Sequence, residues 1–231
     1  MIPPTIESAV RTRGGEGLKL ALPRGALFEP CLDALDGIGV DTAEIRGDSR
    51  SLVFESGGLT LVTMRPSDVP TYVEAGAADL GITGKDVLLE QHDRVVYEIL
   101  DLRFGACRMV VAAREGDESL GESERRVGAM RIATKYPRIA ERFFEQTGRQ
   151  AEVIDVKGSV ELAPIVGLAD GIVDLVATGR TLEENGLEVR EEIVDCTARL
   201  VVNRVSHKLR AAEVDDIVER LRPGAEALAK D

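Results

Sequence analysis

The stretch QAEVIDVKGSVELAPIVGLADGIVDLVAT, residues 150–178, decides the fold class. Its two ends, QAEVIDV and GIVDLVAT, are apolar runs of strand length, and SVELAPIVGLA between them has the pattern of a helix. A strand, a helix and a second strand in this order form a βαβ unit, which joins parallel strands. The stretch therefore predicts an α/β fold with parallel sheets that helices cover on both faces.

The same alternation of strands and helices begins near residue 17 and continues to residue 188. The strand pair EVREEIVDCTARLVVNR then breaks it, and we expect the chain to cross back there to the part of the fold that formed first. A ligand cleft is expected between the two lobes, as in the type II architecture of periplasmic binding proteins. The predicted domains are a flexible tail at 1–16, a first α/β lobe at 17–104 plus 189–231, and a second α/β lobe at 105–188.

Composition excludes several classes of protein. A net charge of −12 and an aromatic content of 3% argue against a nucleic-acid-binding surface. No apolar run approaches the roughly 20 residues that a membrane helix needs, and the N-terminal residues lack the apolar core of a secretory signal. Three widely spaced cysteines fit a reducing compartment better than a disulfide framework, and the two histidines have no metal-ligand neighbours. We expect a cytoplasmic protein without a zinc site.

The segment DLVATGRTLEENGL, residues 174–187, changes from a buried strand to hydroxyls, a glycine and a cation. One interpretation is a simple turn, because glycine suits turns and threonine caps helices. The other is an anion cradle, in which Thr178, Gly179 and Thr181 gather hydroxyl and backbone N–H groups around a phosphate. Asp174 lies in an otherwise apolar strand, so its carboxylate must reach a donor, such as a sugar hydroxyl, or be held structurally.

A second junction of a strand with a helix lies upstream, in KGSVEL. Gly158 and Ser159 come directly before the expected helix, and Glu161 falls in its first turn. An N-cap with a favourable dipole partner explains these residues, and so does a second anion site for diphosphate oxygens.

The run from Glu161 through Gly167, Asp174, Thr178, Gly179, Thr181 and Leu182 resembles the signature of the ATP phosphoribosyltransferase family. The segments RPSDVPTYVEAGAADLGITGKDVLLE, RIATKYP and CTARLVVN are also similar to that family, and the resemblance extends from about residue 18 to residue 205. It implies a Mg²⁺-dependent glycosyltransferase of histidine biosynthesis that joins ATP and 5-phosphoribosyl 1-diphosphate, giving N1-(5-phosphoribosyl)-ATP and diphosphate. It also implies the short form, a homodimer that assembles with a regulatory subunit similar to histidyl-tRNA synthetase.

The resemblance also implies roles for individual residues. Asp174 and Arg24 would be catalytic, with Asp174 holding a ribose hydroxyl and Arg24 the diphosphate. The phosphoribosyl diphosphate would be bound by Gly158, Ser159, Glu161, Asp174, Thr178, Gly179, Arg180 and Thr181. The nucleotide would be bound by Arg50, Arg65, Lys85, Lys135 and Tyr136.

Two basic residues that are usual in the family are missing. Ala26 follows Arg24 and Gly25, and Ser51 follows Arg50, where the family commonly has a second cation in each case. Arg65, Lys85 or Arg180 would compensate, or each is a solvated surface charge. Tyr136 either contacts the nucleotide or packs before the following proline.

Two rival functions remain from the sequence. A solute-binding module would have similar lobes, since a fold does not fix a function. It would predict an export signal and leaves the residues from Thr178 to Thr181 unexplained. A degenerate regulatory paralogue would fit the two missing cations.

Overall fold

The computed structural model describes residues 17–47, 51–116 and 129–228. The expected tail at 1–16, and Arg50 among the expected nucleotide ligands, lie outside these ranges. The strands are β1 Leu18–Pro23, β2 Val53–Ser56, β3 Leu59–Met64, β4 Leu80–Gly84, β5 Val96–Asp101, β6 Cys107–Arg114, β7 Met130–Thr134, β8 Ala151–Asp155, β9 Gly171–Val176, β10 Leu187–Cys196 and β11 Ala198–Asn203.

The helices alternate with these strands along most of the chain. They are α1 Phe28–Gly37, α2 Ala43–Arg46, α3 Val69–Glu74, α4 Lys85–Glu90, α5 Pro137–Gln146, α6 Leu162–Ile165, α7 Arg180–Glu184, α8 Arg204–Leu209 and α9 Ala211–Leu228, with a 3₁₀ turn at Pro66–Asp68. None of the helices in the described ranges combines the length and the apolar character needed to span a membrane.

The chain divides into two compact units. Of the described residues, the first comprises those from 17 to 83, 94 to 104 and 199 to 228, and the second comprises those from 84 to 93 and 105 to 198. The sequence placed the return to the first lobe at residue 189. β10 instead pairs with β6 from Leu187 to Cys196, and this pairing keeps the whole strand in the second unit. Residues 84–93, which contain α4, also belong to the second unit rather than the first.

The first unit has a six-stranded mixed sheet in the order β2-β3-β1-β4-β11-β5. β1 runs parallel to β3 and β4, whereas the β2–β3 hairpin and the β11–β5 pair are antiparallel. Asp79, at the start of β4, is buried and accepts hydrogen bonds from the Lys19 backbone at 2.9 Å and from Ser206 Oγ at 2.6 Å. Arg210 Nη1 lies 3.3 Å from the same carboxylate, so this group ties α8 and α9 to the sheet.

The second unit has a five-stranded sheet in the order β10-β6-β9-β7-β8. β7 is parallel to β8 and β9, but β6 is antiparallel to both β9 and β10. The sequence predicted parallel sheets, whereas the sheet of each unit is mixed. The residues of β6 alternate between two apolar clusters, one packed with α5 and the other with α6 and α7. Helices therefore cover both faces of this sheet, as predicted.

The helix expected from residue 159 to residue 169 is much shorter than its sequence pattern suggested. α6 comprises only Leu162–Ile165, and Gly167 follows it with φ of 76°. A left-handed glycine ends a helix because it turns the chain away from the helical path. The shortened helix leaves Gly158 and Ser159 in a loop after β8.

Candidate functional site

The chain turns sharply where β9 ends and α7 begins. Gly179 is the N-cap residue of α7 and has φ of 85°, a left-handed conformation that glycine adopts without strain. Val176 before the turn and Leu182 after it are both buried in the same apolar cluster. These two anchors fix the ends of the loop, while Thr178, Arg180 and Thr181 stay exposed between them.

The hydroxyl groups of this loop do not cap the helix. No side chain makes a capping hydrogen bond at the N-terminus of α7. In the part of the chain that the structure describes, the Thr178 and Thr181 hydroxyls have no hydrogen-bond partner; the Asn185 side chain contacts only the Thr181 carbonyl oxygen, at 2.8 Å. The threonines therefore do not cap the helix as the simple-turn interpretation expected. Both hydroxyls are available to a ligand.

The second junction lies on the same face of the sheet. Val160 is fully buried in the cluster that also holds Val176 and Leu182, so packing brings the two loops to one face. Ser159 is exposed and, within the described ranges, its hydroxyl makes no hydrogen bond. Glu161, rather than Ser159, is the N-cap residue of α6, and it makes no capping hydrogen bond. The interpretation of Ser159 as an N-cap therefore fails, while the Glu161 carboxylate still lies at the N-terminus of the helix.

Asp174 lies on β9 between Ile172 and Val176, which both belong to this same cluster. Its side chain is mostly buried, and Lys135 Nζ is 3.6 Å from its Oδ1. Burial raises the pKa of Asp174, while the Lys135 ammonium and a hydrogen bond from the Leu175 backbone act in the opposite direction. The negative charge of Glu161 adds to the upward shift. Three charged groups, from Lys135, Glu161 and Asp174, thus interact at the carboxyl ends of β7 and β9.

Tyr136 contacts Asp86, a residue that the sequence did not indicate as part of the site. The backbone N–H of Tyr136 donates to Thr134 Oγ1 at 2.9 Å, and its phenol hydrogen-bonds to Asp86 near the start of α4. Burial is the main cause of a strong rise in the pKa of Tyr136, followed by the charges of Asp86 and Asp174. Burial likewise raises the pKa of Asp86. No signal in the sequence joins Asp86 and Tyr136, because 50 positions separate them and only the fold brings them together.

Three further residues of the second unit were expected to bind a substrate: Arg180, Lys85 and Gly158. Arg180 pairs with Glu184 one turn further along α7, at 2.8 Å, and both side chains are exposed. Lys85 lies in the second unit, where its backbone N–H donates to the Thr197 carbonyl at 3.0 Å. Gly158 lies in the exposed loop before α6.

In the first unit, Arg24 follows β1 and donates to Thr63 Oγ1 at 3.0 and 3.2 Å. Its guanidinium carbon is 5.3 Å from the centre of the Phe28 ring. Arg65 is exposed after β3. Ser51, which stands where the family has a cation, bonds to the backbone of Val53 and shapes the start of the hairpin.

A metal cage built by the protein is not found among the described residues, since no three His, Cys, Asp or Glu side chains gather closely enough. Any divalent cation at this site would need most of its ligands from a bound substrate.

Comparison with known proteins agrees with the resemblance in the sequence. A family model for ATP phosphoribosyltransferase matches residues 65–223. The ATP phosphoribosyltransferase of Rubrobacter xylanophilus is 54% identical over 199 residues, which cover 86% of this chain and 92% of that protein.

Solved structures support the same relationship. A chain of the ATP phosphoribosyl transferase (HisG:HisZ) complex from Thermotoga maritima has a TM-score of 0.75 and 38% identity, covering 91% of this chain and 99% of that one. The periplasmic aliphatic sulphonate binding protein SsuA from Escherichia coli has a TM-score of 0.59 at 13% identity, covering 92% of this chain and 73% of that one. The second likeness shows the fold alone, and it confirms the predicted fold class.

Proposed function

The chain belongs to the ATP phosphoribosyltransferase family, and from that membership we propose which of its residues carry the reaction. The enzyme joins ATP to 5-phosphoribosyl 1-diphosphate and releases diphosphate, the first step of histidine biosynthesis. Adenine N1 forms a bond to the anomeric carbon of ribose as the bond to diphosphate breaks. Because N1 carries no proton, the reaction needs charge stabilisation more than a general base.

The 5-phosphate binds to the loop from Thr178 to Thr181. The observation that carries this assignment is the pair of exposed threonine hydroxyls without protein partners in the described ranges, on either side of a left-handed glycine. Hydroxyl and backbone N–H groups of such a loop are suitable donors to phosphate oxygens. The anchors Val176 and Leu182 hold the donors in place before the substrate arrives.

Asp174 orients the ribose, because its carboxylate accepts a hydrogen bond from a sugar hydroxyl. The Lys135 ammonium favours the ionised form of this carboxylate, whereas burial favours the protonated form. As the bond to diphosphate breaks, positive charge develops on the ribose ring, and a nearby carboxylate stabilises that charge. Gly158 and Ser159 contribute donors to the diphosphate.

Magnesium fits this site as a substrate-bound ion. Mg²⁺ usually takes one or two carboxylates together with substrate phosphates and water. The described residues offer no three-ligand cage, and Asp174 and Glu161 are the interacting carboxylates that would hold the ion. When bound, Mg²⁺ neutralises charge on the departing diphosphate.

ATP contacts are assigned to Lys85, Lys135 and Tyr136, all in the second unit. The phenol of Tyr136 is hydrogen-bonded to Asp86. Arg180 remains a phosphate ligand in this proposal, and it would exchange its exposed partner Glu184 for the substrate.

Substitution of Thr181 by alanine tests the phosphate loop. We expect the variant to bind 5-phosphoribosyl 1-diphosphate at least tenfold more weakly in the presence of Mg²⁺, since a charge-assisted hydrogen bond is worth about 1.5–3 kcal/mol. Isothermal titration calorimetry measures the affinity, and a melting curve shows whether the variant is folded.

Thr71→Ala is the matched control, because Thr71 is an exposed threonine on α3 in the first unit. It should leave the affinity unchanged. Unchanged affinity in a folded Thr181→Ala protein would remove the assigned function of that hydroxyl, and no binding by the unsubstituted chain would contradict the whole assignment.

For assembly, we propose a cytoplasmic homodimer that associates with a regulatory subunit, by analogy with the HisG:HisZ complex of the Thermotoga maritima relative. Adding that type of subunit should raise the activity, and histidine should inhibit only the mixture. Sedimentation velocity and initial rates measure these effects. A stable monomer at micromolar concentration, or strong inhibition of the isolated chain by histidine, would contradict the proposal.

A further inference from the structure

Two cysteine side chains meet at one end of the second sheet. Cys107 begins β6, Cys196 ends β10, and the two are directly opposed in the antiparallel ladder. Their side chains are hydrogen-bonded to each other. Cys107 and Cys196 are not joined by a disulfide in the structure; Cys196 is 1% exposed, whereas Cys107 is partly exposed.

Two irregularities in β10 create this opposition. The register of β10 against β6 shifts by one residue between Val189 and Glu191, and again between Glu192 and Val194. Leu187 is paired with Arg114. If the same register continued without the two shifts, Val194 would lie opposite Cys107. The bulges therefore bring the second thiol to a position that regular pairing would give to an apolar side chain.

The opposed positions satisfy the geometry of a disulfide. Facing residues of an antiparallel pair have Cα atoms about 4.5 or 5.5 Å apart, and disulfides join Cα atoms about 4.4–6.8 Å apart. The spacing of opposed residues therefore falls within the range that a disulfide bridges. Cys31 provides the contrast, because it is fully buried in the first unit, where burial raises the pKa of its thiol strongly.

Reactivity differs between the two thiols. The hydrogen bond from Cys196 lowers the pKa of Cys107, against opposing effects of burial and of the Asp86 charge. Cys107 is also the more accessible sulfur. A thiolate is the form that attacks a disulfide, so Cys107 is the sulfur suited to react first.

We propose that Cys107 and Cys196 form a reversible intramolecular disulfide when the protein meets a low-molecular-weight disulfide such as oxidised glutathione. The Cys107 thiolate attacks one sulfur of the small disulfide, forming a mixed disulfide and releasing one small thiolate. The Cys196 sulfur loses its proton and attacks the Cys107 sulfur, releasing the second small thiol. Two protein thiols are oxidised and one small disulfide is reduced. This site does not depend on the proposed substrate contacts.

Mass spectrometry of the whole chain under denaturing conditions, after incubation with oxidised glutathione, tests the proposal. We expect the chain to lose the mass of two hydrogen atoms, and a digest to contain one peptide pair that links Cys107 to Cys196. Reduction with excess dithiothreitol should restore the original mass. The cross-link closes the long loop from residue 107 to residue 196, so the melting temperature should rise by roughly 5–15 °C.

Two serine variants separate the steps. Cys196→Ser should stop at a glutathione adduct on Cys107, whereas Cys107→Ser should remain unmodified because Cys196 is buried. Cys31 should stay a free thiol throughout. A lasting glutathione adduct on the unsubstituted chain, a disulfide between two chains, or no reaction would each overturn the proposal, and none of these results depends on the folding of a variant.

Discussion

At the scale of single residues, burial and a neighbouring positive charge shift the pKa of Asp174 in opposite directions. Burial raises the pKa of this carboxyl, and the Lys135 ammonium at 3.6 Å lowers it. Only the ionised form carries the negative charge that stabilises positive charge on a ribose. The Lys135 charge therefore lowers the pH at which the proposed site becomes competent, relative to a site with burial alone.

Lys135→Met should move the acid limb of the kcat/KM profile to higher pH. The substitution removes the cation that favours the carboxylate, so the pKa of Asp174 rises further and the protonated form persists to higher pH. Rates measured from about pH 5 to pH 9 locate the limb. Lys135→Arg keeps the positive charge and should leave the limb near its original position.

A general loss of activity without movement of the limb would contradict this coupling. It would mean that Lys135 contacts the nucleotide but does not set the ionisation of Asp174. Loss of a nucleotide contact and loss of the charge beside Asp174 would each lower kcat/KM. The position of the acid limb, rather than the height of the profile, therefore distinguishes them.

The sequence predicted which residues lie near strand ends, but it did not predict their partners. Thr178, Gly179 and Asp174 stand out because each breaks an apolar pattern. The contact between Tyr136 and Asp86 depends on α4 packing beside α5, and the pairing of the two cysteines depends on bulges. Such contacts join distant positions and leave no local pattern, so only the folded chain shows them.

At the scale of elements, α3 packs unusually close to β4. A Cβ atom at Gly81 would lie 2.5 Å from Val69 Cγ1 and 2.8 Å from Val73 Cγ2, which are both fully buried side chains. The absence of a side chain at Gly81 therefore allows α3 to lie this close to β4. The sequence predicted both elements but not this close approach, because alternation indicates burial and not the spacing between layers.

Gly81→Ala should lower the free energy of unfolding by about 1–3 kcal/mol, the usual cost of overpacking a core. Gly37→Ala is the matched control, because Gly37 ends α1 and a Cβ atom added there would meet no other atom within 4 Å. It should be neutral or raise stability by about 0.4–1 kcal/mol. Urea denaturation measures both, and equal effects of the two substitutions would show that α3 moves away from β4 without cost.

At this scale, the sequence did not predict that β6 is antiparallel to its neighbours. Apolar runs such as β6 and β9 are equally compatible with parallel and antiparallel neighbours, since burial on both faces removes the alternation that distinguishes them. The helices between strands predicted the parallel pairs of β7 correctly. β10 and β11, in contrast, follow each other without a helix and belong to different sheets.

At the scale of the whole molecule, the two units are interleaved along the chain. The chain passes from one unit to the other after residues 83, 93, 104 and 198. Strand β11 returns to the first sheet and lies between β4 and β5, and five of its six residues are buried. The second unit, by contrast, contains all five strands of its own sheet before residue 198.

Truncation after residue 198 should therefore affect the units unequally. Without β11, α8 and α9, the first sheet loses an interior strand and should lose the hydrogen-exchange protection of β1 and β4. The β6 and β9 amides should stay protected, because every strand of their sheet remains. Hydrogen exchange with peptide resolution measures both sets, and loss of protection throughout the chain would show that the second unit depends on the first.

The place of β11 also determines the order in which the molecule can be completed on a ribosome. Translation adds about 5–20 residues per second, so roughly 5–20 s separate the synthesis of β5 from that of β11. During this time β4 and β5 have been made, but the strand that will join them has not. The unit whose synthesis starts first is thus the last to finish folding, and the nascent chain exposes unpaired strand edges for as long as its second sheet is being made.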